Sequence, residues 1–145
     1  MISYSNWSFY SGRLLTAPEE SLPQADLSTL DADSAADARE AISGTLARPI
    51  SFHFLRHGCY ETRRNRHEAE YIAELVRSLL QQADGLTIGI VAFSEAQQEE
   101  IEASLHRLAK QDPEFQEALE KELDREDEGQ FCGLLVKNLE NIQGD

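Results

Sequence analysis

The stretch from Leu86 to Gln98 constrains this chain more than any other. It reads Leu-Thr-Ile-Gly-Ile-Val-Ala-Phe-Ser-Glu-Ala-Gln-Gln, an uncharged, β-branched run that turns helical at a serine. Such a run predicts a strand buried on both faces, as in parallel sheets. Ser94 stands at a helix N-cap, and Gln97, three residues on, suits the reciprocal partner of a capping box. Ile101, Leu105 and Leu108 then recur at helical spacing. A buried strand running into a capped helix is half of a βαβ unit, and its turn lies at the carboxyl edge of the sheet. Ligands of α/β proteins bind at that edge. The unpaired N–H groups and positive dipole end of the helix favour an anion there, most often a phosphate.

The chain has 145 residues, which fits a single domain spanning 1–145. A net charge of −14 argues against a free-standing nucleic-acid binder with a basic footprint. Cys59 and Cys132 lie far apart without metal-ligand spacing, and no signal peptide or membrane span is visible. These features predict a reducing, cytoplasmic setting, no membrane partner and no metal. His57 and Cys59 are two potential ligands where metals take three or four.

Around the central stretch the chain alternates between strand and helix patterns. Tyr4, Trp7 and Phe9 or Tyr10 suit a short helix ended by Gly12. Residues 17–47 are acidic and alanine-rich and predict a surface excursion, with a short helix over 35–42. Ile50, Phe52 and Phe54 alternate with Ser51 and His53, predicting a strand near 49–55 with one face buried. Arg56, Arg63, Arg64 and Arg66 crowd the following loop with only Glu61 to oppose them. That cluster is either a solvated loop or a phosphate-facing patch. Asn65 and Glu68 repeat the capping spacing ahead of a helix over 66–82, striped by Ile72, Leu75, Val76 and Leu79. Further helices are predicted over 94–110 and, capped by Asp112 with Pro113 at its first position, over 113–125. The glutamates and aspartates from 114 to 128 read as a solvated face. A last strand is predicted near 130–137. The three strands, near 49–55, 86–93 and 130–137, are expected to form one parallel sheet.

Several pieces in order carry a resemblance: Phe9-Tyr10-Ser11-Gly12-Arg13-Leu14, Asn65 to Ala69, Gly89 to Gln97, and Val136 to Asp145 with its Leu-Glu-Asn-Ile-Gln-Gly-Asp ending. Their order and spacing resemble the second RecA-like domain of bacterial superfamily 1 DNA helicases, nearest to members related to the RNA-decay helicase group. The resemblance spans nearly the whole chain apart from the acidic excursion. It implies an α/β, RecA-like three-layer domain with a mainly parallel sheet and helices on both faces, the P-loop NTPase fold without its own P-loop. In that family the turn after the central strand commonly carries Thr-Pro-Tyr and touches the nucleic-acid backbone. Here Ala92, Phe93 and Ser94 stand there, so Ser94 replaces the threonine contact. The final motif, usually Ser/Thr-Val-Asp-x-Phe-Gln-Gly-x-Glu, is represented by Asn138 to Asp145 and stops before its glutamate.

The resemblance therefore implies single-stranded DNA or RNA as partner, contacted through Ser94, Gln97 and Asn138, with Arg63 and Arg64 as the basic contribution. Glu140, Gln143 and Gly144 would relay the state of the ATP site. No Gly-x-x-x-x-Gly-Lys-Ser/Thr loop occurs, so the chain lacks a phosphate cradle. ATP and Mg would belong to the full-length protein, held by the first RecA-like domain of the same polypeptide. The chain then reads as a piece of a larger helicase, inactive alone, whose Leu139 to Asp145 end should have few partners. Two other classes remain open. One is a free-standing α/β protein-interaction or regulatory module; the other is a small independent enzyme, for which no nucleophile, base and orienting group form a visible set.

Overall fold

The computed structural model describes residues 11, 13, 29–47, 50–82 and 85–142. The expected aromatic helix ended by Gly12 lies outside them. Within them the chain is a mixed α/β structure with short parallel strands: β1 (Thr29–Ala32), α1 (Ala38–Leu46), β2 (Phe52–Leu55), α2 (Arg66–Gln82), β3 (Ile88–Ala92), α3 (Glu95–Ala109), α4 (Pro113–Leu123), β4 (Glu126–Asp127), β5 (Gln130–Phe131) and β6 (Leu134–Asn138).

β3 and β6 pair in parallel, with Ile88 opposite Leu134 and Ala92 opposite Asn138, as the strand-helix alternation predicts. β2 behaves differently from expectation. It pairs in parallel with β1, Thr29 opposite Phe52 and Ala32 opposite Leu55, and neither β3 nor β6 is hydrogen-bonded to it. The partner comes from the acidic segment expected to be a surface excursion. The helix expected there is present as a 3-10 turn at Ala35–Asp37 running into α1. Two features made this segment look like surface. β1 has only four residues. The buried stripe of α1 consists of Ala38, Ala41 and Ile42, small residues at helical spacing that never form an apolar run. Its start is tied down by Asp37, whose carboxylate accepts from the Asp33 and Ser34 N–H groups at 2.8 and 2.9 Å. Those two bonds hold the Asp37 pKa below the ordinary carboxylate range.

The strand expected over 130–137 is split. Gln130–Phe131 folds back on Glu126–Asp127 as a small antiparallel hairpin, and β6 begins only at Leu134. Glu128 and Gly129 close that hairpin with φ of 50° and 79°, the left-handed pair that two-residue hairpin turns require. α4 accordingly ends at Leu123, and Glu126, Asp127 and Glu128 lie in the exposed hairpin rather than on a helix. Arg125 fastens this region. Its Nη2 donates to the Cys132 carbonyl at 2.6 Å and to the Leu86 carbonyl ahead of β3.

One face of the strands carries the core. Ile88, Ile90, Ala92, Leu134 and Val136 meet Ala69, Ala73 and Val76 of α2, Ile101, Leu105 and Ala109 of α3, and Phe115 and Leu119 of α4. A smaller cluster joins Ala32 and Leu55 to Ala38 and to Tyr71 and Leu75 of α2. The opposite face differs from the three-layer expectation, because no described helix covers it. Phe52, Phe54 and Val91 are 61, 50 and 44% exposed. The described residues form two layers. Between α2 and α4, the buried Arg77 guanidinium reaches Glu74 at 2.6 Å and Asp112 at 3.3 Å. Asp112 in turn caps α4 through the Phe115 N–H.

Gly133 passes so close to α4 that a β-carbon there would stand 1.7 Å from the Glu122 carbonyl oxygen. Both are backbone sites that cannot swing aside. Gly133→Ala should therefore lower unfolding free energy by at least about 1–3 kcal/mol, the usual cost of overpacking, measured by urea titration. A change within error would show that this crossing is loose.

His53 joins β2 to both neighbouring helices. Its Nδ1 lies 2.6 Å from the Tyr71 hydroxyl, and its Nε2 lies 3.1 Å from Ser51 Oγ and 3.3 Å from Thr45 Oγ1. The tyrosine hydroxyl is a donor, so these contacts suit the neutral ring, with Nδ1 accepting and Nε2–H donating. Burial holds the His53 pKa below its ordinary value of 6.5. The folded state thus binds this proton less readily than the unfolded chain. The resulting stability is fully present above pH 6.5 and is lost as pH falls through the depressed folded value. Burial of Glu68 and Glu74 raises their pKa values and works in the opposite direction at lower pH. The contribution of His53 is isolated by difference. His53→Gln should flatten the slope of stability against pH just below 6.5, and an unchanged slope would refute the assignment.

Candidate functional site

β2, β3 and β6 end at a common edge, where hydrogen bonds join the β2–α2 turn, the β3–α3 turn and the turn after β6. β3 leads through Phe93 into Ser94, the N-cap of α3. The Ser94 oxygen accepts from the Gln97 N–H at 3.2 Å, as the spacing predicts. The second half of the capping box goes elsewhere. Gln97 does not reach back to Ser94; its buried carboxamide crosses to the turn ahead of α2. Its Oε1 accepts from the Asn65 N–H at 2.5 Å, and its Nε2 donates to the Asn65 carbonyl at 3.1 Å and to Glu68 Oε2 at 3.4 Å. Asn65 meanwhile caps α2, its Oδ1 accepting from the Glu68 N–H. Burial raises the Glu68 pKa.

The Ser94 hydroxyl is also committed. It donates to the Arg63 carbonyl at 2.8 Å, pinning the tip of the loop between β2 and α2. That tip is a tight turn in which Glu61 and Arg64 exchange N–H···O=C bonds of 2.9 and 3.0 Å. Its central residues, Thr62 and Arg63, have φ of 50° and 65°. Left-handed backbone is costly for a β-branched residue such as Thr62. The turn holds because its two ladder bonds and the Ser94 bond determine it from both sides.

Asn138 closes β6. Its Oδ1 accepts from the Glu140 and Asn141 N–H groups at 3.1 and 3.0 Å, and its Nδ2 donates to Gln98 Oε1 at 3.1 Å. Gln98 donates on to the Val136 carbonyl. The Leu139 N–H continues the ladder onto the Ala92 carbonyl. Leu139 to Ile142 therefore has backbone partners within the chain, more than the few expected, because Asn138 organises a turn there.

The structure thus gathers Ser94, Gln97 and Arg63 into one hydrogen-bonded group, with Arg64 at its rim and Asn138 on the far side of Ala92. Ser94, Gln97 and Asn138 are buried and bonded internally, which makes them supports of the edge rather than groups facing outward. Arg63 and Arg64 are exposed. Glu140 is exposed, and Gln143 and Gly144 lie outside the described residues.

Much of the basic cluster is neutralised locally. Arg56 pairs with Asp31 and Asp33, Arg64 with Glu99 and Glu100, and Arg66 with Glu70. Among the described residues Arg63 alone of the four has no carboxylate partner. The residue missed by the sequence patterns is Phe93, which is 86% exposed at the very end of β3. An apolar run implied burial there, and only the absence of a covering helix reveals otherwise.

No three His, Cys, Asp or Glu residues are grouped as metal ligands among the described residues, and no helix among them is long and apolar enough to cross a membrane. An apolar cavity of about 360 Å³ lies between α3, α4 and the hairpin, lined by Leu105, Leu119, Leu123, Phe131 and Leu134, with Glu102 and His106 in its wall. Comparison with family models, curated proteins and solved structures gives no match.

The network makes a ranked prediction. Ser94→Ala removes one cap and should cost about 1 kcal/mol. Gln97→Ala leaves both Asn65 backbone groups without their partner and should cost more, about 2–3 kcal/mol. Equal losses in chemical denaturation would mean that the Asn65 groups find other partners.

Proposed function

We propose that this chain is the second RecA-like domain of a superfamily 1 DNA helicase, working in the cytoplasm beside the first RecA-like domain of the same polypeptide. The observation that carries the reading is the convergence of the β2–α2, β3–α3 and β6 turns at one carboxyl edge, the first two cross-braced by Gln97. A domain that shifts its grip on a single strand as nucleotide turns over needs an edge that moves as a rigid unit. The motif order from Phe9 to Asp145 supports the same assignment.

The chain's own residues do not fit ATP. No glycine-rich lysine loop is present, and the described arginines near the edge are mostly occupied by carboxylates. ATP and Mg would be held by the first domain, supplying phosphoryl-transfer chemistry there. This chain would contribute the closing surface, and Glu140, Gln143 and Gly144 would relay the state of the ATP site. Ser94, Gln97 and Asn138 shape the strand-facing edge, and Arg63 and Arg64 lie on its surface. The single-stranded partner, DNA or RNA, is held as much by shape as by charge.

A second reading draws on a specific observation, the bare apolar face of Phe52, Phe54 and Val91. Faces of this kind mark protein contacts, and a free-standing α/β interaction module would use one. The two readings part on activity and gene context. The purified chain should show no ATP turnover above background, since positioning and cationic stabilisation of the phosphoryl group are both missing. The product of the complete reading frame should carry a phosphate-loop domain ahead of Met1 and hydrolyse ATP faster with single-stranded DNA. Robust turnover by the chain alone, or a reading frame without that loop, would falsify the helicase assignment.

A further inference from the structure

We infer that the apolar groove between α3, α4 and the β4–β5 hairpin is a docking site for a basic amphipathic helix of a partner protein. The inference goes beyond the helicase reading and does not depend on it. Three observations carry it.

The first is the shape of the apolar surface. Leu105, Leu119 and Leu134 are buried and form its floor, while Leu123 and Phe131 stand in its walls, 42 and 45% exposed. A second cavity of about 160 Å³ adjoins the first at His106, Leu119 and Leu123 and continues it between α3 and α4 toward Ala109 and Gln116. The two make one trough. A trough of this form takes a row of apolar side chains from one face of a helix. Exposed apolar surface with a polar rim marks a protein contact.

The second is that the walls are fixed before any partner arrives. Phe131 pairs with Glu126 in a hairpin closed by Glu128 and Gly129. Arg125 ties that hairpin to α4, donating to the Cys132 carbonyl and pairing with Glu122 at 2.9 Å. On the other side, Glu102 accepts from Gln98 Nε2 at 2.9 Å. A preformed groove orders few side chains of its own on binding, which favours affinity.

The third is charge. From Asp112 to Glu128 there are nine acidic residues against two basic ones, a balance of −7 and half of the chain's −14. Both of those cations are occupied, Lys121 by Glu117 and Arg125 by Glu122. Asp124, Glu126, Asp127 and Glu128 have no basic partner among the described residues. Glu126 lies opposite Phe131, and facing residues of an antiparallel pair share a side, so a carboxylate stands beside the exposed ring. Glu102 and Glu120 add two more along the helices, against Lys110 and His106. Such a rim repels nucleic acid and anionic membranes and attracts lysines or arginines that flank apolar anchors.

The test is fluorescence anisotropy of a labelled synthetic helix titrated with the 145-residue chain. The probe carries leucines at i, i+3, i+4 and i+7 with lysines and alanines elsewhere. It should bind, and its counterpart with glutamates in place of the lysines should not. Phe131→Ala and Leu123→Gln should each weaken binding about tenfold. The combined variant Asp124→Asn, Glu126→Gln and Asp127→Asn keeps the apolar walls and should both weaken binding and flatten its salt dependence. Phe54→Ser, on the bare strand face, should leave affinity unchanged. Urea titration establishes that each variant is folded, and the charge variant decides the matter where a wall variant is not. No binding, equal binding of the two probes, or affinity that ignores both the wall and the charge variants overturns the inference. Wall variants that alter only sedimentation of the chain with itself would assign the groove to a second copy, and that too overturns it. None of these results bears on the helicase assignment, which ATP turnover and the reading frame decide.

Discussion

The Gln97 carboxamide is buried between two strand-to-helix turns and must satisfy both backbone groups of Asn65 or leave them unpaired away from water. Asn65 is itself the cap of α2, and Gln97 lies in the first turn of α3. One side chain therefore fixes how the two central helices begin relative to each other. Downstream, the buried positions of α2 and α3 include several small residues, Ala69, Ala73, Ser104 and Ala109. Small residues allow near approach but specify register weakly, since few shapes interlock. A polar clamp with fixed partners supplies the register that the alanines do not. Mispairing it would bury unsatisfied groups at a cost of about 1–3 kcal/mol each.

The strand layer poses the opposite problem. Parallel strands are ordinarily covered on both faces, and Ile88, Ile90 and Ala92 meet that requirement on one side only. On the other, β2 and β3 present Phe52, Phe54 and Val91 to solvent in the described residues. Among the described residues the β1–β2 and β3–β6 ladders are not hydrogen-bonded to each other.

How much of this was legible in the sequence depends on the range of the interaction. Local devices could be read directly. The caps at Asn65, Ser94 and Asp112 were recognisable from spacing alone, and each starts a helix where expected. The β3–β6 pairing followed from strand-helix alternation. Interactions across long separations were not legible. The partner of β2 lay in a four-residue strand inside an acidic segment, and nothing in Thr29 to Ala32 announces pairing with residues some twenty positions away. The break at Gly133 depends on the passage of the Glu122 carbonyl, which no local pattern encodes. Gln97 shows the same limit. Its type and spacing fit a reciprocal capping box, but the Asn65 backbone across the edge offered two bonds where Ser94 offered one.

The same competition explains why the candidate site differs in kind from its sequence image. Asn, Gln and Ser at strand ends look like donors waiting for a phosphate, because their side chains can bond outward as easily as inward. In the folded edge, inward partners came first. Arg63, Asn65, Glu140 and Asn141 present backbone groups at the edge, and Ser94, Gln97 and Asn138 answer them. A polar side chain that satisfies a buried backbone group cannot leave it for a ligand without a penalty comparable to what the ligand contact would return. Among the described residues at this edge, the side chains without such inward bonds include the Phe93 ring, which has no polar atom to satisfy, and the Arg63 guanidinium, whose backbone carbonyl is held by Ser94 while no described carboxylate pairs with its charge.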